Sequence, residues 1–196
     1  MPRRTREQAA RTRLELARAG RRLFARRGFA GVSAEEVVAA AGVTRGALYH
    51  HFDGKEGLFA AVVEDAMIDL KGRLAAAAAG ARSPGEALER GVRAFLAACV
   101  EPATRQILLV DGPAVLGWHA WRELDLRHGL GLLRSGLAAA ARDGARLDID
   151  AAAHLLAGAM IDAAMVVGGA PGDDRLRRRV ETTLLRLVRG LFVEGE

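Results

Sequence analysis

The run Thr44 to His51, TRGALYHH, brings a guanidinium, a phenol and two imidazoles together with small side chains between them. These groups donate hydrogen bonds to base edges and phosphate oxygens. A guanidinium can give two at once to O6 and N7 of guanine, so Arg45 is the candidate for reading a base, and Ala47 has the size to lie against a thymine methyl. In a helix, Leu48 and Phe52 point to one side, four residues apart, and leave Arg45, Gly46, Ala47, Tyr49 and His50 on the other. Small residues at its start suit such a helix to the width of a major groove. The alternatives are a packing role for the Tyr49 ring and a solvated surface pair for His50 and His51. Adjacent helical residues project about 100° apart, a poor arrangement for sharing a metal.

The flanking residues supply what would hold this run in place. Ser33 and Glu36 form a capping box, in which the hydroxyl accepts from one free amide of a new helix and the carboxylate from another. A helix therefore begins near Ala34, with Val37, Val38 and Ala41 on its apolar face. Gly42 follows the last of them, where a helix end needs a residue tolerant of positive φ. Thr44 is suited to capping the next helix. Two short helices around a glycine turn make a helix-turn-helix. Ahead of them a helix is predicted from Thr5 to Arg27, with Leu16, Leu23 and Phe24 inward, Arg18, Arg21, Arg22 and Arg26 outward, and Gly28 closing it. Behind them another starts near Asp53 or Gly54, with Leu58, Val62, Ala66 and Leu70 at four-residue intervals. Lys55 lies in its first turn, beside free amides that favour a phosphate.

Residues 10 to 65 resemble the tetracycline-repressor (TetR) family of transcriptional regulators, through LxxAGRRLFARRGFAGVS, AGVTRGALYHHF and DGKEGLFAAVV in that order. The resemblance implies an all-helical homodimer with a DNA-binding N-terminal domain and a larger ligand-sensing C-terminal domain. By position, it implies that Tyr49, His51 and Ser33 grip the DNA backbone and that Thr44, Arg45, Gly46, Ala47 and His50 face bases. Where this chain has Gly54 the family commonly has Ser or Thr. That departure removes a hydroxyl, and Asp53 with Glu56 is the expected substitute cap.

Charge points the same way. Residues 1–60 hold twelve Lys or Arg against six Asp or Glu, and the remainder seventeen against eighteen, so the net +5 lies wholly in the segment with the reading pattern. A basic patch confined to one domain marks a polyanion binder, although an arginine-rich solvated tail has the same composition. Cys99 is the one cysteine, set among apolar residues, and is expected to be a small buried hydrophobe without a redox role. With no disulfide possible within the chain and no apolar signal stretch in MPRRTREQAARTR, a cytoplasmic protein is expected. The stretch 151–170 approaches the length of a membrane span. It carries His154 and Asp162 and is mostly Ala and Gly, which favours a helix buried on several sides over a membrane role.

The expected fold is all-α with about nine helices: a basic helix-turn-helix domain over 1–53, a connecting helix over 54–79, and an effector-binding and dimerisation domain over 80–196. In the last, Ser83 and Pro84 start helix 5 (84–100), Glu101-Pro102 marks a break before helix 6, and Asp111-Gly112-Pro113 interrupts the next run. Helix 7 is expected over 114–143 and DGARLDID as a loop. Asp150 is the expected cap of helix 8, which ends at Gly168-Gly169, and helix 9 runs to Val193. Ala152, Gly158, Ala159, Ala163 and Gly168 of helix 8, with Val180, Leu184, Leu187, Val188 and Leu191 of helix 9, are predicted to form a four-helix dimer contact and so to require a palindromic operator. Helices 4 to 7 would enclose a pocket for a small, largely apolar effector, with Phe95, Trp118, His119, Trp121, Arg122, Met160 and Asp162 as candidates by location, each of which core packing explains better than ligand contact does. No cofactor, metal or catalytic group is expected. His119, His128 and His154 lack metal-ligand spacing, and neither a phosphate-binding glycine loop nor a nucleophile elbow is present, which sets an enzyme aside. A regulator answering to a protein partner, or to nothing, remains the alternative to an effector-controlled one.

Overall fold

The computed structural model describes residues 2–141 and 147–192, with side chains from Arg6 onward, and these form helices without a strand. Counting as one each the two helices that contain a widened turn, there are nine: α1 (Pro2–Arg27), α2 (Ala34–Ala41), α3 (Arg45–His51), α4 (Gly54–Ala78), α5 (Pro84–Cys99), α6 (102–116), α7 (118–140), α8 (Ile149–Gly168) and α9 (Asp174–Gly190). The all-α expectation holds. The expected ends of helix 7 at Asp143 and of helix 9 at Val193, and the first half of the expected loop DGARLDID, lie outside the described residues, while its last two residues, Ile149 and Asp150, open a helix.

Two compact units result. One gathers the chain up to Ala66 together with Gln106–Trp121, and the other Met67–Arg105 with the residues from Arg122 on. The sequence division at 53 and 79 left residues 106–121 with the second half. Side chains place them with the first: the Phe29 amide donates to the Asp111 carboxylate at 2.7 Å, and the Gln106 amide nitrogen stands 3.2 Å from where a Cβ on Gly28 would be.

In the first unit Leu16, Phe24, Val37, Leu48, Leu58 and Phe59 are fully buried. Phe24 and Phe59 meet edge to face at 5.2 Å and Phe29 joins them at 5.0 Å from Phe59, geometries that add about 0.5–1.5 kcal/mol per pair to the area they bury. The turn from α1 to α2 leaves backbone groups without helical partners, and three charged side chains take them up. Lys55 Nζ donates to Phe29 O at 3.2 Å and Val32 O at 3.0 Å, with the Phe29 ring centroid 3.9 Å away. Arg27 donates to Gly31 O and to both oxygens of Glu36. Asp111 takes the Phe29 amide. The capping box closes as expected: Ser33 N donates to Glu36 Oε2 at 2.8 Å and Glu36 N to Ser33 Oγ at 3.1 Å. Gly42 ends α2 at φ 65°, in the left-handed region.

The boundary between α6 and α7 differs from the expectation. Asp111-Gly112-Pro113 does not break the chain, because residues Arg105–Asp111 form a widened turn that relieves the missing amide of Pro113. Gly117, at φ 77°, is where the helix stops. Gly112 is needed for another reason: a Cβ there would lie 2.8 Å from the Trp121 ring. The cap of α8 is Asp148, whose carboxylate accepts from the amides of Asp150 and Ala151, and not Asp150, which pairs with Arg134 at 2.5 Å. Ser83 caps α5 as predicted. The helix α8 is long and apolar enough to cross a membrane by composition alone. Ala152, Ala153, Leu156, Met160, Ala163, Ala164, Val167 and Gly168 are buried within its own unit, where it packs on α5, α7 and α9.

Arg27 and the Ser33 amide favour the charged form of Glu36 and hold its carboxyl at about 2, against 4.5 ordinarily. A folded-state value below the unfolded one stabilises above the unfolded value, and that stabilisation is lost as pH falls through the folded one. Glu36→Gln is expected to lower the melting temperature at neutral pH, by a margin that shrinks as pH drops from 4.5 towards about 2. Melts of both proteins followed by circular dichroism check this, and a margin constant with pH would contradict it.

Candidate nucleic-acid interface and apolar cavity

The helix α3 is anchored on one side only. Leu48 and Phe52 are buried against α1 and α2, as predicted, while Thr44, Arg45, Gly46, Tyr49 and His50 are exposed and Ala47 and His51 half-buried. Thr44 holds the N-cap backbone conformation, yet its hydroxyl makes no capping bond and is left available. Tyr49 is 53% exposed, so the packing role considered for its ring is not the one it plays. Arg45 is held loosely over that ring at 5.7 Å, and beside Glu35 at 3.3 Å in an ion pair whose members are both more than 60% exposed. An exposed pair of this kind contributes little and exchanges readily for a better partner. The imidazoles of His50 and His51 meet edge to face at 5.0 Å. Partial burial, with His50 and Arg13 nearby, lowers the His51 pKa from 6.5. Ser33 Oγ is exposed and accepts from Glu36 N, which leaves its own proton to donate.

Lys55 is half-buried, and its ammonium is committed to the α1–α2 turn. That is a different place from the phosphate site expected of it. Nor do Asp53 and Glu56 make the expected side-chain cap: Gly54 starts α4 at φ 68°, and the Asp53 carbonyl accepts from Gly57 N at 3.0 Å. A Ser or Thr at position 54 would be strained at that φ.

The second unit holds a cavity of about 320 Å³, walled by α4, α5, α7 and α8. Phe95 and Met160 line it, as two of the seven candidates were expected to. The other five do not. Trp121 is buried in the first unit, its indole N–H satisfied by Leu108 O at 2.8 Å, and Trp118 stacks on it at 5.3 Å while 59% exposed. His119 is exposed. Arg122 pairs with Asp125, and Asp162 lies on the exposed side of α8. Residues 118–121 belong to the first unit, and the wall takes Asp125, Gly129 and Leu130 from in and just before the second widened turn, Leu126–Leu130. Sequence reading missed Asp125 and Gly129 of that wall, and Leu70, Leu74, Leu88 and Val92 behind them. An acid four residues ahead of a glycine in DLRHGLG was the available signal. Cys99 is fully buried, and burial pushes its thiol up to about 12, so it is an unreactive hydrophobe.

The outer face of α8 and α9 carries Leu155, 76% exposed, with Val166 and Leu187, and between the helices runs a groove that includes Ala159, Asp162, Arg179, Val180 and Thr183. The stripes proposed for dimer contact thus divide. Ala152, Ala163, Gly168, Leu184 and Val188 are used within the chain's own unit, and Gly158, Ala159, Val180 and Leu187 remain outside. Leu191 is half-buried.

Comparison with known proteins agrees with this geometry. Residues 16–62 match the family described as bacterial regulatory proteins, tetR family, and residues 85–191 match the tetracyclin repressor-like C-terminal domain. The chain is 42% identical over 64 residues to the HTH-type transcriptional regulators TtgR of Pseudomonas putida and AcrR of Shigella flexneri, matching 33% of this chain and 30% of each of theirs. The match thus spans under a third of these curated relatives. Among solved structures, a TetR-family transcriptional regulator from Pectobacterium atrosepticum superposes with TM-score 0.83 at 33% identity, over 97% of this chain and 99% of its own. RolR, solved in complex with resorcinol, shares the fold at TM-score 0.71 and 21% identity, over 96% of each chain. With both halves matched by the family's models and nearly the whole length by a solved member, the chain belongs to the TetR family of transcriptional regulators.

Proposed function

We propose that this chain is a cytoplasmic repressor that binds a palindromic operator as a homodimer and is released by a small, largely apolar effector. The observation that carries the reading is the outer side of α3: Thr44, Arg45, Gly46, Tyr49 and His50 open to solvent, with Ala47 half-buried among them, on a helix whose inner side is locked by Leu48 and Phe52. On this reading Arg45 leaves Glu35 for a guanine, while Ser33, Tyr49 and His51 hold phosphates and set the register of the helix in the groove. The excess positive charge of residues 1–60 supplies the salt-dependent part of affinity. Lys55 is assigned to the turn beneath the reading helix instead of to a phosphate. The exposed apolar face of α8 and α9, with an acid and a base in its groove, supports an isologous contact, and a two-fold dimer presents two reading helices to successive major grooves. A cavity at the lower end of the range for ligand pockets supports a small effector, and the resorcinol held by RolR shows this fold taking a compact ring. An effector then opposes DNA through a coupling free energy of about 1–3 kcal/mol. The direct test is protection, by the purified protein, of an inverted repeat in the DNA flanking its own coding region. Failure to bind any inverted repeat at low ionic strength would overturn the proposal.

Three variants test the parts. Arg45→Ala is expected to cost about 1–3 kcal/mol of operator affinity and to relax preference at one base pair per half-site; in titrations over a set of base-substituted operators, equal loss on all of them would contradict that role. Lys55→Ala, which removes the donor to Val32 O and one of the two donors to Phe29 O, is expected to lower folding stability by about 1–3 kcal/mol. The salt slope of DNA binding by the folded protein should be unchanged, and a slope reduced by about one would return Lys55 to the phosphates. Leu187→Asp puts a charge into the proposed dimer contact and is expected to give a folded monomer in equilibrium sedimentation at micromolar concentration. Should it sediment as the wild type does, the contact lies elsewhere.

A further inference from the structure

The cavity wall is hydrocarbon with three polar side chains, and these differ in kind. Lys71 and Ser135 are exposed, and Ser135 Oγ already donates to Gly131 O at 2.9 Å. Asp125 is mostly buried, with 22% of its side chain exposed. Arg122 donates to its Oδ2. Oδ1 stands over Gly129, 2.8 Å from where a Cβ would be, so any side chain at position 129 would push the carboxylate out of its place. The widened turn Leu126–Leu130 brings Gly129 and Leu130 into the wall beside it. Such turns interrupt regular helices most often where a site is built. Among the described residues no sealed side-chain oxygen or nitrogen lacks a hydrogen bond, so Oδ1, without a protein donor, is open to the space next to it.

Taking the effector reading of the cavity as given, we propose that Asp125 selects an uncharged effector bearing a hydroxyl, which donates its proton to Oδ1 while the hydrocarbon remainder fills the aliphatic wall. Asp125 is neutralised by Arg122, and the other charge in the wall, Lys71, is exposed to solvent, so the buried part of the site has no net charge to hold an ion. An ammonium would have to shed its water in a hydrocarbon space and compete with Arg122. A carboxylate would meet Oδ1 as another acceptor. A hydroxyl supplies the one donor that Oδ1 lacks, at far smaller desolvation cost. Burial raises the Asp125 pKa, against the lowering by Arg122 and by His154 nearby. At the packing density of protein interiors, 320 Å³ holds roughly a dozen non-hydrogen atoms, the size of a substituted ring or a short branched chain.

The test is calorimetric titration of the intact protein with four probes of one skeleton: butylcyclohexanol, its methyl ether, butylcyclohexylamine and butylcyclohexanecarboxylate. The alcohol is expected to bind at least about tenfold more tightly than the ether, and more tightly than either ion. Asp125→Leu should abolish the alcohol's advantage while the ether still binds. Gly129→Ala, which crowds Oδ1 without removing it, should reduce the same advantage and serves where the first variant does not fold. An ether or an ion that binds as tightly as the alcohol, or an advantage that survives in the variants, overturns this assignment alone and leaves the effector reading standing. No binding by any of the four counts against the effector reading itself, and this assignment falls with it.

Discussion

The backbone of Phe29 is held at both its polar groups, its N–H by Asp111 and its carbonyl by Lys55. The placement of the reading helix depends on this clamp. The α1–α2 turn has no helical ladder to satisfy its backbone, and buried polar groups without partners are costly. Side chains from α4 and α6 supply the partners, Arg27 adds another at Gly31, and Phe29 is then free to commit its ring to Phe24 and Phe59. Because α2 begins directly after this turn and α3 packs on α1 and α2, the direction of the exposed Arg45 and Tyr49 follows from charges that touch no DNA.

Much of the first unit was legible because its signals are local. A capping box, a glycine at positive φ and two apolar residues four apart are each decided within a few positions, and Ser33, Glu36, Gly42, Leu48 and Phe52 behave as their spacing requires. The contacts of Lys55 were not legible, for the opposite reason. Its sequence neighbours are free helix amides, whereas its actual partners lie 23 and 26 residues earlier. No local rule separates a lysine that faces solvent from one that closes a distant turn. The attachment of Gln106–Trp121 to the first unit was invisible for the same reason, since it rests on one carboxylate reaching an amide 82 positions away.

The second unit was legible in outline and not in phase. Proline at 113 signalled a break where a widened turn absorbs it, and each such turn rotates the residues that follow relative to an ideal helix. Trp118, His119 and Trp121 follow the stop at Gly117 and belong to the first unit, so they do not line the cavity, while Phe95, on the uninterrupted α5, does. The helix α8 shows a further limit. Its composition is apolar on nearly every side, and periodicity cannot tell which small residues serve its own bundle and which are left for another surface.

The chain's two tryptophans are neighbours, Trp121 buried and hydrogen-bonded to Leu108 O, Trp118 stacked on it and largely in solvent, and neither belongs to the cavity wall. Tryptophan fluorescence of this protein therefore has a single address, in the first unit, beside the helix segment that carries Asp111. With no indole in the cavity wall, a shift of tryptophan emission on ligand binding is a readout of the first unit, obtained without a dye.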